Sequence, residues 1–181
     1  MSEEGIIDRV FGSIRSVANY PTQGVNFKDI TPLLANPDLC RDVLDFITLQ
    51  LSRHKFTAVA GIESRGFLFG MLLAARLELP FIPIRKKGKL PFTTVHQDYV
   101  LEYGRAALEV HIDAIGPNDK VLVHDDLLAT GGTVEAACKL VEQLGAKVEA
   151  CSFLVGLAFL NGRARLTPHC EAIYTITEFT S

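Results

Sequence analysis

The chain lacks paired cysteines. Cys40, Cys138, Cys151 and Cys170 fall in no CxxC spacing and at no Cys/His ligand spacing, which argues against a disulfide framework and a zinc site and leaves buried thiols as the expectation. It also lacks any apolar run near the ~20 residues that cross a bilayer. There is no basic excess: 18 Lys and Arg stand against 21 Asp and Glu, with a net charge of −3 and a pI near 5.9. General nucleic-acid binding therefore has no electrostatic footprint here. The start, MSEEGIIDRV, has neither the basic flank nor the apolar stretch of a secretory signal, so the expectation is a cytoplasmic protein without a membrane partner. Two glycine motifs are missing as well. With no GxxxxGK[ST] and no GxGxxG, an NTPase or a dinucleotide-binding Rossmann domain loses its main support.

What remains is an ordinary globular composition, 48% hydrophobic and 22% charged over 181 residues. That length fits one domain, burying roughly two-thirds of the surface of its unfolded chain. Ile7, Phe11, Ile14 and Val17 recur at helical spacing and predict a first helix, followed by an ordered loop through YPTQGVNFKDITPLL. Asn36, Pro37 and Asp38 read as an N-cap, a first-turn proline and a dipole-favoured acid. Leu39, Val43, Phe46 and Ile47 then supply the stripe of a second helix ending near Arg53. Beyond it, 56–62, 80–85, 120–126 and 148–156 read as buried strands, with helices at Arg65–Leu77 and about Gly132–Leu144. Gly145 suits the stop of the latter. This alternation predicts an α/β fold with a mostly parallel sheet flanked by helices. Residues 91–116 break the pattern: YVLEY and AALEVHID flank Gly104 as an antiparallel excursion, a candidate flap.

The chemistry concentrates in VLVHDDLLATGGT, residues 121–133. An apolar strand, two acids and a Thr-Gly-Gly-Thr turn into a helix combine carboxylates with an anion cradle. Asp125 and Asp126 would repel a bare phosphate. They are satisfied by a ligand with a vicinal diol beside its phosphate, because ionised acids accept hydrogen bonds from hydroxyls. A ribose 5-phosphate meets both requirements. The basic cluster Arg85, Lys86, Lys87 and Lys89 taken alone reads as a solvated loop.

These residues resemble a known family. VLVHDDLLATGGT is similar to the phosphoribosyl-diphosphate (PRPP) signature of the type I phosphoribosyltransferases. The resemblance to the adenine-specific branch extends over GVNFKDITPLL, AGIESRGFLFG, IRKKGKLP and YVLEYG, in that order and over nearly the whole chain. It implies the type I phosphoribosyltransferase fold: a central, mostly parallel twisted sheet flanked by helices. A small N-terminal hood at about 1–35 and a flexible β-hairpin flap at about 91–116 complete it. It also implies transfer of the 5-phosphoribosyl group of PRPP to N9 of adenine, giving AMP and diphosphate.

The resemblance also assigns residues. Asp125 and Asp126 would hold the ribose hydroxyls, and Ala129, Thr130, Gly131, Gly132 and Thr133 the 5-phosphate. Arg65, in a loop with a cis Glu63–Ser64 bond, would contact the diphosphate. Lys86 and Lys89 would reach it too, with Arg85 acting across a homodimer interface. Phe27 would stack on adenine, the backbone around Asn26 and Lys28 would read its edge, and Leu157 would close the opposite face or simply pack in the core. Glu102 would be the catalytic acid near N7 and Tyr103 would help close the flap. Mg²⁺ is expected to arrive bound to PRPP. His124, Lys28 and Asn26 depart from the family pattern; His124 is expected to be packed or hydrogen-bonded. Two alternatives stay open: an oxo-purine phosphoribosyltransferase, which Lys28 invites, and a PRPP-binding regulator that binds DNA.

Overall fold

The computed structural model describes residues 3–100 and 105–181. Chain order is α1 (Glu3–Ser13), β1 (Arg15–Ala18), β2 (Asn26–Asp29), α2 (Thr31–Leu34), α3 (Pro37–Leu51), β3 (Ala58–Ile62), α4 (Gly66–Leu77) and β4 (Phe81–Lys86). Then come β5 (Thr94–Val100), β6 (Arg105–His111), β7 (Lys120–Leu128), α5 (Gly132–Gln143), β8 (Lys147–Leu157), α6 (Gly162–Leu166) and β9 (Ala172–Phe179). Asn36 caps α3 as its position predicts, its side-chain oxygen accepting from the Leu39 amide at 3.1 Å. Leu39, Val43, Ile47 and Leu51 form the buried stripe of that helix, while Phe46 is half-buried.

The first helix is shorter than its apolar spacing predicts. It ends at Ser13, buries Ile6 and Val10, and leaves Phe11 48% exposed but stacked on Phe179. Val17 belongs to β1, which pairs antiparallel with β2 as Val17 opposite Phe27. The segment expected to be a loop is therefore a small hairpin followed by a helical turn. Four-residue strands carry too few alternations to register against a helical period. The helix α6 and the strand β9 were not expected at all.

The main sheet has the order β5-β6-β4-β3-β7-β8-β9. Its five strands β4, β3, β7, β8 and β9 are parallel, and β6 and β5 extend it antiparallel. Alternation along the strands feeds two cores. Ala58, Ala60 and Ile62 of β3 pack with Val134, Ala137 and Val141 of α5 on one face. Val59 packs with Phe69 and Leu73 of α4, and with residues of α1 and α3, on the other. From β3 the chain moves outward to β4, and from β7 outward the other way to β8 and β9. The strand order thus reverses between β3 and β7, and the crevice beyond their carboxyl ends is where an open α/β sheet binds ligands.

Candidate active site

Two strand ends meet at that crevice. β3 delivers Glu63, Ser64 and Arg65, with the Glu63–Ser64 peptide in the cis form that the resemblance implies. β7 delivers Asp125 and Asp126, and runs on to Leu128. Gly66, the first residue of α4, lets the two ends touch. A Cβ there would stand 2.7 Å from the His124 carbonyl oxygen and 2.9 Å from Asp125 Oδ1. A hydrogen is all that fits.

The close approach puts Arg65 Nε 3.1 Å from Asp126 Oδ2. Its guanidinium carbon also lies 5.0 Å from the centre of the Phe27 ring, within cation–π range. One arginine thus joins the acid pair to the N-terminal hairpin. Asp126 is 3% exposed, and its Oδ2 is buried without an aligned hydrogen bond, the contact to Arg65 being an ion pair only. The Asp126 amide donates to Asp125 Oδ1 at 2.9 Å. Burial and the neighbouring Asp126 charge push the Asp125 carboxyl well above its ordinary range; burial also raises Asp126, and Arg65 opposes that rise. One oxygen of the pair, Asp126 Oδ2, is left without a hydrogen-bond donor.

Beside the pair opens a cavity of about 190 Å³ lined by Arg65, Asp125, Asp126, Leu127, Val134 and the loop Ala129–Thr133. The loop ends in α5, whose N-cap residue Gly131 provides no side-chain cap. First-turn N–H groups of α5 are thereby left to an anion. Every loop residue expected from sequence lines this one cavity. Leu127, at a half-buried position after the acids, joins them and had no signal of its own.

The basic segment is more ordered than a solvated loop. Glu63 takes Arg85 in two contacts of 3.2 Å, and Arg85 Nη1 donates to the Lys89 carbonyl at 2.9 Å. Within this chain Arg85 thus joins Glu63 to the Lys89 carbonyl. Glu63 also accepts from the Lys86 amide at 2.9 Å, and Glu109 from the amides of Lys89 at 2.7 Å and Leu90 at 2.8 Å. The ammonium groups of Lys86 and Lys89 make no hydrogen bond or ion pair among the described residues, and both residues are exposed. Glu109 is a site residue that sequence reasoning missed. Its neighbours Leu108 and Val110 are buried on one face, so alternation assigns Glu109 to solvent, yet the basic segment covers it and leaves it 4% exposed.

Phe27 lines a recess of about 260 Å³ with Val17, Tyr20 and Asp29, and Asn26 is exposed. Lys28 points the other way. It is 5% exposed, its Nζ donates to Ser16 Oγ at 2.9 Å and lies 4.1 Å from the Phe179 ring centre. Leu157 lines a different cavity, of about 70 Å³, with Leu128, Gly156 and Arg163. His124 is fully buried, with Nδ1 2.8 Å from Ser152 Oγ, and burial lowers its pKa to about 3. It is neutral at any working pH and packed as expected. Glu102 and Tyr103 lie outside the described residues. Among the described residues no three His, Cys, Asp or Glu side chains converge as a metal site, and no helix is long and apolar enough to cross a membrane.

Comparison with known proteins bears on the same crevice. Residues 29–176 match the model of the phosphoribosyl transferase domain. A relative from Cytophaga hutchinsonii, an adenine phosphoribosyltransferase, is 46% identical over 98% of both chains. One from Flavobacterium johnsoniae with the same name is 52% identical over 84% of this chain and 90% of its own. The crystal structure of adenine phosphoribosyltransferase from Rhodothermus marinus superposes with a TM-score of 0.92, at 45% identity, covering 97% of this chain and 99% of that one. That from Saccharomyces cerevisiae, complexed with an imino-altritol bisphosphate and adenine, gives 0.90 at 36% identity, over 96% and 99%.

The buried acid of the basic segment makes a stability prediction. Burial would raise the Glu109 carboxyl, but hydrogen bonds from the amides of Leu90, Gly88 and Lys89 outweigh it and hold the pKa below the ordinary 4.5. A lowered folded pKa means stabilisation that is complete above the ordinary value and is lost as pH falls through the folded one. Glu109→Gln is expected to cost roughly 1–3 kcal/mol at neutral pH. In urea unfolding, the gap between the two proteins should narrow as pH drops below 4.5; a gap that is constant with pH contradicts the assignment.

Proposed function

The chain belongs to the phosphoribosyl transferase domain family, and from that membership we infer that it transfers the 5-phosphoribosyl group of PRPP to N9 of adenine, releasing diphosphate and forming AMP. The observation that carries the reading is a single cavity in which two adjacent buried carboxylates, one with an oxygen lacking a donor, stand beside an uncapped helix N-terminus. A sugar diol answers the first and a phosphate the second. Adenine, in this reading, lies against Phe27 and is read by the backbone of β2. Leu157, at the end of β8, is the residue proposed for its second face.

Departure of diphosphate leaves an oxocarbenium-like C1′ that N9 attacks from the opposite side. Arg65 and the exposed ammonium groups of Lys86 and Lys89 are proposed to meet the growing negative charge of the leaving group. PRPP is proposed to enter as its Mg²⁺ complex, the metal keeping water and substrate oxygens as ligands. Glu102 is proposed to act on N7, and Tyr103 and the 91–116 flap to keep water from the same electrophilic carbon. The segment at about 1–35 is proposed as the hood over the base. The charge of PRPP and AMP keeps both from crossing membranes unaided, which favours a cytoplasmic site. A homodimer is supported by Leu68, Met71 and Leu72, which leave one face of α4 45%, 53% and 44% exposed.

Lys28 does not favour an oxo-purine acceptor, because its ammonium is committed to Ser16 and Phe179. The test is an acceptor panel with PRPP and Mg²⁺: adenine, hypoxanthine, guanine, xanthine, uracil and orotate. Adenine should be much the best, and another base in that place refutes the reading. A gel shift with DNA, modulated by PRPP, would instead favour the regulator.

Four variants examine these assignments. Asp125→Ala and Asp126→Ala should each weaken PRPP binding about ten- to hundredfold, the worth of a hydrogen bond to a charged group; unchanged calorimetric affinity removes the diol role. Glu102→Gln should lower turnover far more than PRPP affinity, and equal turnover takes it out of the mechanism. Light scattering should give a dimer that Met71→Glu dissociates; a monomeric parent protein ends the dimer proposal.

A further inference from the structure

Helix α6 and the turn before it take no part in the chemistry above, yet they lie backbone to backbone against the phosphate loop. A Cβ on Gly162 would stand 2.2 Å from the Ala129 carbonyl oxygen and 3.1 Å from the Gly131 nitrogen. From the other side, a Cβ on Gly131 would stand 2.8 Å from the Gly162 carbonyl oxygen and 3.3 Å from its Cα. Neither residue has room for a methyl group. Gly131, whose φ is +82°, reads from sequence as a glycine that admits a phosphate; in the structure it also admits Gly162.

The turn is itself anchored. Asn161 holds the left-handed conformation, φ 53° and ψ 32°, which asparagine tolerates better than most side chains. Arg163 fastens α6 to β9: Nη2 donates to Glu178 Oε1 at 2.8 Å and Thr175 Oγ1 at 2.7 Å, and Nη1 to the Ile173 carbonyl at 3.0 Å. Arg165 Nη1 lies 3.6 Å from Glu135 Oε2 in the first turn of α5. The phosphate loop is thus held between β7 and α5, which it connects, and a turn fixed to the sheet edge.

We propose that the Asn161–Gly162 turn is a positioning element for the 5-phosphate: Gly162 sets where the Ala129–Gly131 backbone stands, and Arg163 holds Gly162 in register with β9. The proposal rests on reading that loop as the phosphate cradle. Its effect falls first on PRPP, because Phe27 and the β2 backbone, the main adenine contacts proposed above, belong to the N-terminal hairpin, and only Leu157 shares a cavity with Gly162 and Arg163.

Steady-state kinetics of Gly162→Ala test it. The added methyl forces the loop to shift, and a misplacement of about an ångström costs up to roughly hundredfold, so the KM for PRPP should rise about tenfold or more and that for adenine by far less. A role in folding alone would reduce the amount of active enzyme and leave the PRPP KM at its parent value, which overturns the proposal. Arg163→Gln keeps Gly162 and removes only the anchor, so it decides the matter where Gly162→Ala does not fold. A several-fold rise in PRPP KM, partly restored in Arg163→Lys, is expected; an unchanged KM is the opposing result. The parent protein is assayed first. Without PRPP-dependent AMP formation there, the cradle reading falls and takes the positioning role with it; with that activity and unmoved KM values, the positioning role falls alone.

Discussion

Two adjacent carboxylates at the dry end of a parallel strand are costly, because each disfavours ionisation of the other and burial disfavours both. The rest of the crevice is arranged around that cost. Arg65 offsets part of it at 3.1 Å from Asp126, and it can stand there only because β3 ends beside β7 and Gly66 lets α4 start against the His124 carbonyl. The unaligned Oδ2 of Asp126 is what remains uncompensated. A ligand that donates hydroxyls to these acids gains their interaction energy and relieves a penalty the folded chain already carries. Phosphate alone cannot do so, and neither can an apolar molecule. In the proposed function the site selects a sugar phosphate by a deficit that the fold imposes.

The opposite deficit is built into the basic segment. Glu63 and Glu109 hold it through main-chain amides, with Arg85 as the one side-chain cation engaged. Had these acids paired with Lys86 and Lys89 directly, the segment would be as ordered but its charge already neutralised. Bonding the carboxylates to N–H groups gives rigidity while leaving the ammonium charge without a carboxylate partner. Preorganised charge of this kind acts without further reorganisation at the moment of reaction. The Asp125–Asp126 pair and the ammonium groups of Lys86 and Lys89 therefore stand unpaired with each other on the two walls of one crevice, and the proposed function gives sugar hydroxyls to the first and diphosphate to the second.

Most of this was legible wherever a segment carried a strong local period or a spaced motif. The buried strands and the α3, α4 and α5 helices came from runs long enough to show their phase, and Asn36 marked its cap by residue type. Asp125 to Thr133 was legible because its chemistry is contradictory without a particular ligand. Other features depend on what covers a residue. Glu109 looks like a solvent-facing strand acid until the basic segment folds over it, and Lys28 like a ligand-facing cation until the β1–β2 hairpin turns it inward. The tie between Arg65 and Phe27 spans two distant segments. Gly162 had no signal, since a lone glycine in NGRARL says nothing of the loop it will meet. The β9 strand, AIYTITEF, is half-buried along much of its length, and its mixed composition hid it.

The geometry of the hairpin bears on base selectivity. Successive residues of a strand face opposite sides, so with Phe27 turned to the recess Lys28 must turn away. Its ammonium is 5% exposed against Ser16 and Phe179. Presenting it to a purine carbonyl would mean extracting a buried charge from a hydroxyl and an aromatic face, or slipping the hairpin register and burying Phe27 instead. Both are costly. The β1–β2 sheet has only two strands, so the far edge of β2 keeps backbone N–H and C=O groups unpaired in that sheet. A strand edge offers donor and acceptor in a fixed order. Adenine presents an amine donor beside a ring-nitrogen acceptor, while an oxo-purine presents the reverse pair, an acceptor beside a ring N–H. A register that satisfies adenine therefore sets donor against donor for its oxo analogue, and in the proposed mode discrimination needs no side chain. In that mode the side chain at position 28 only fills the space against Ser16 and Phe179, and the backbone it belongs to would read the base.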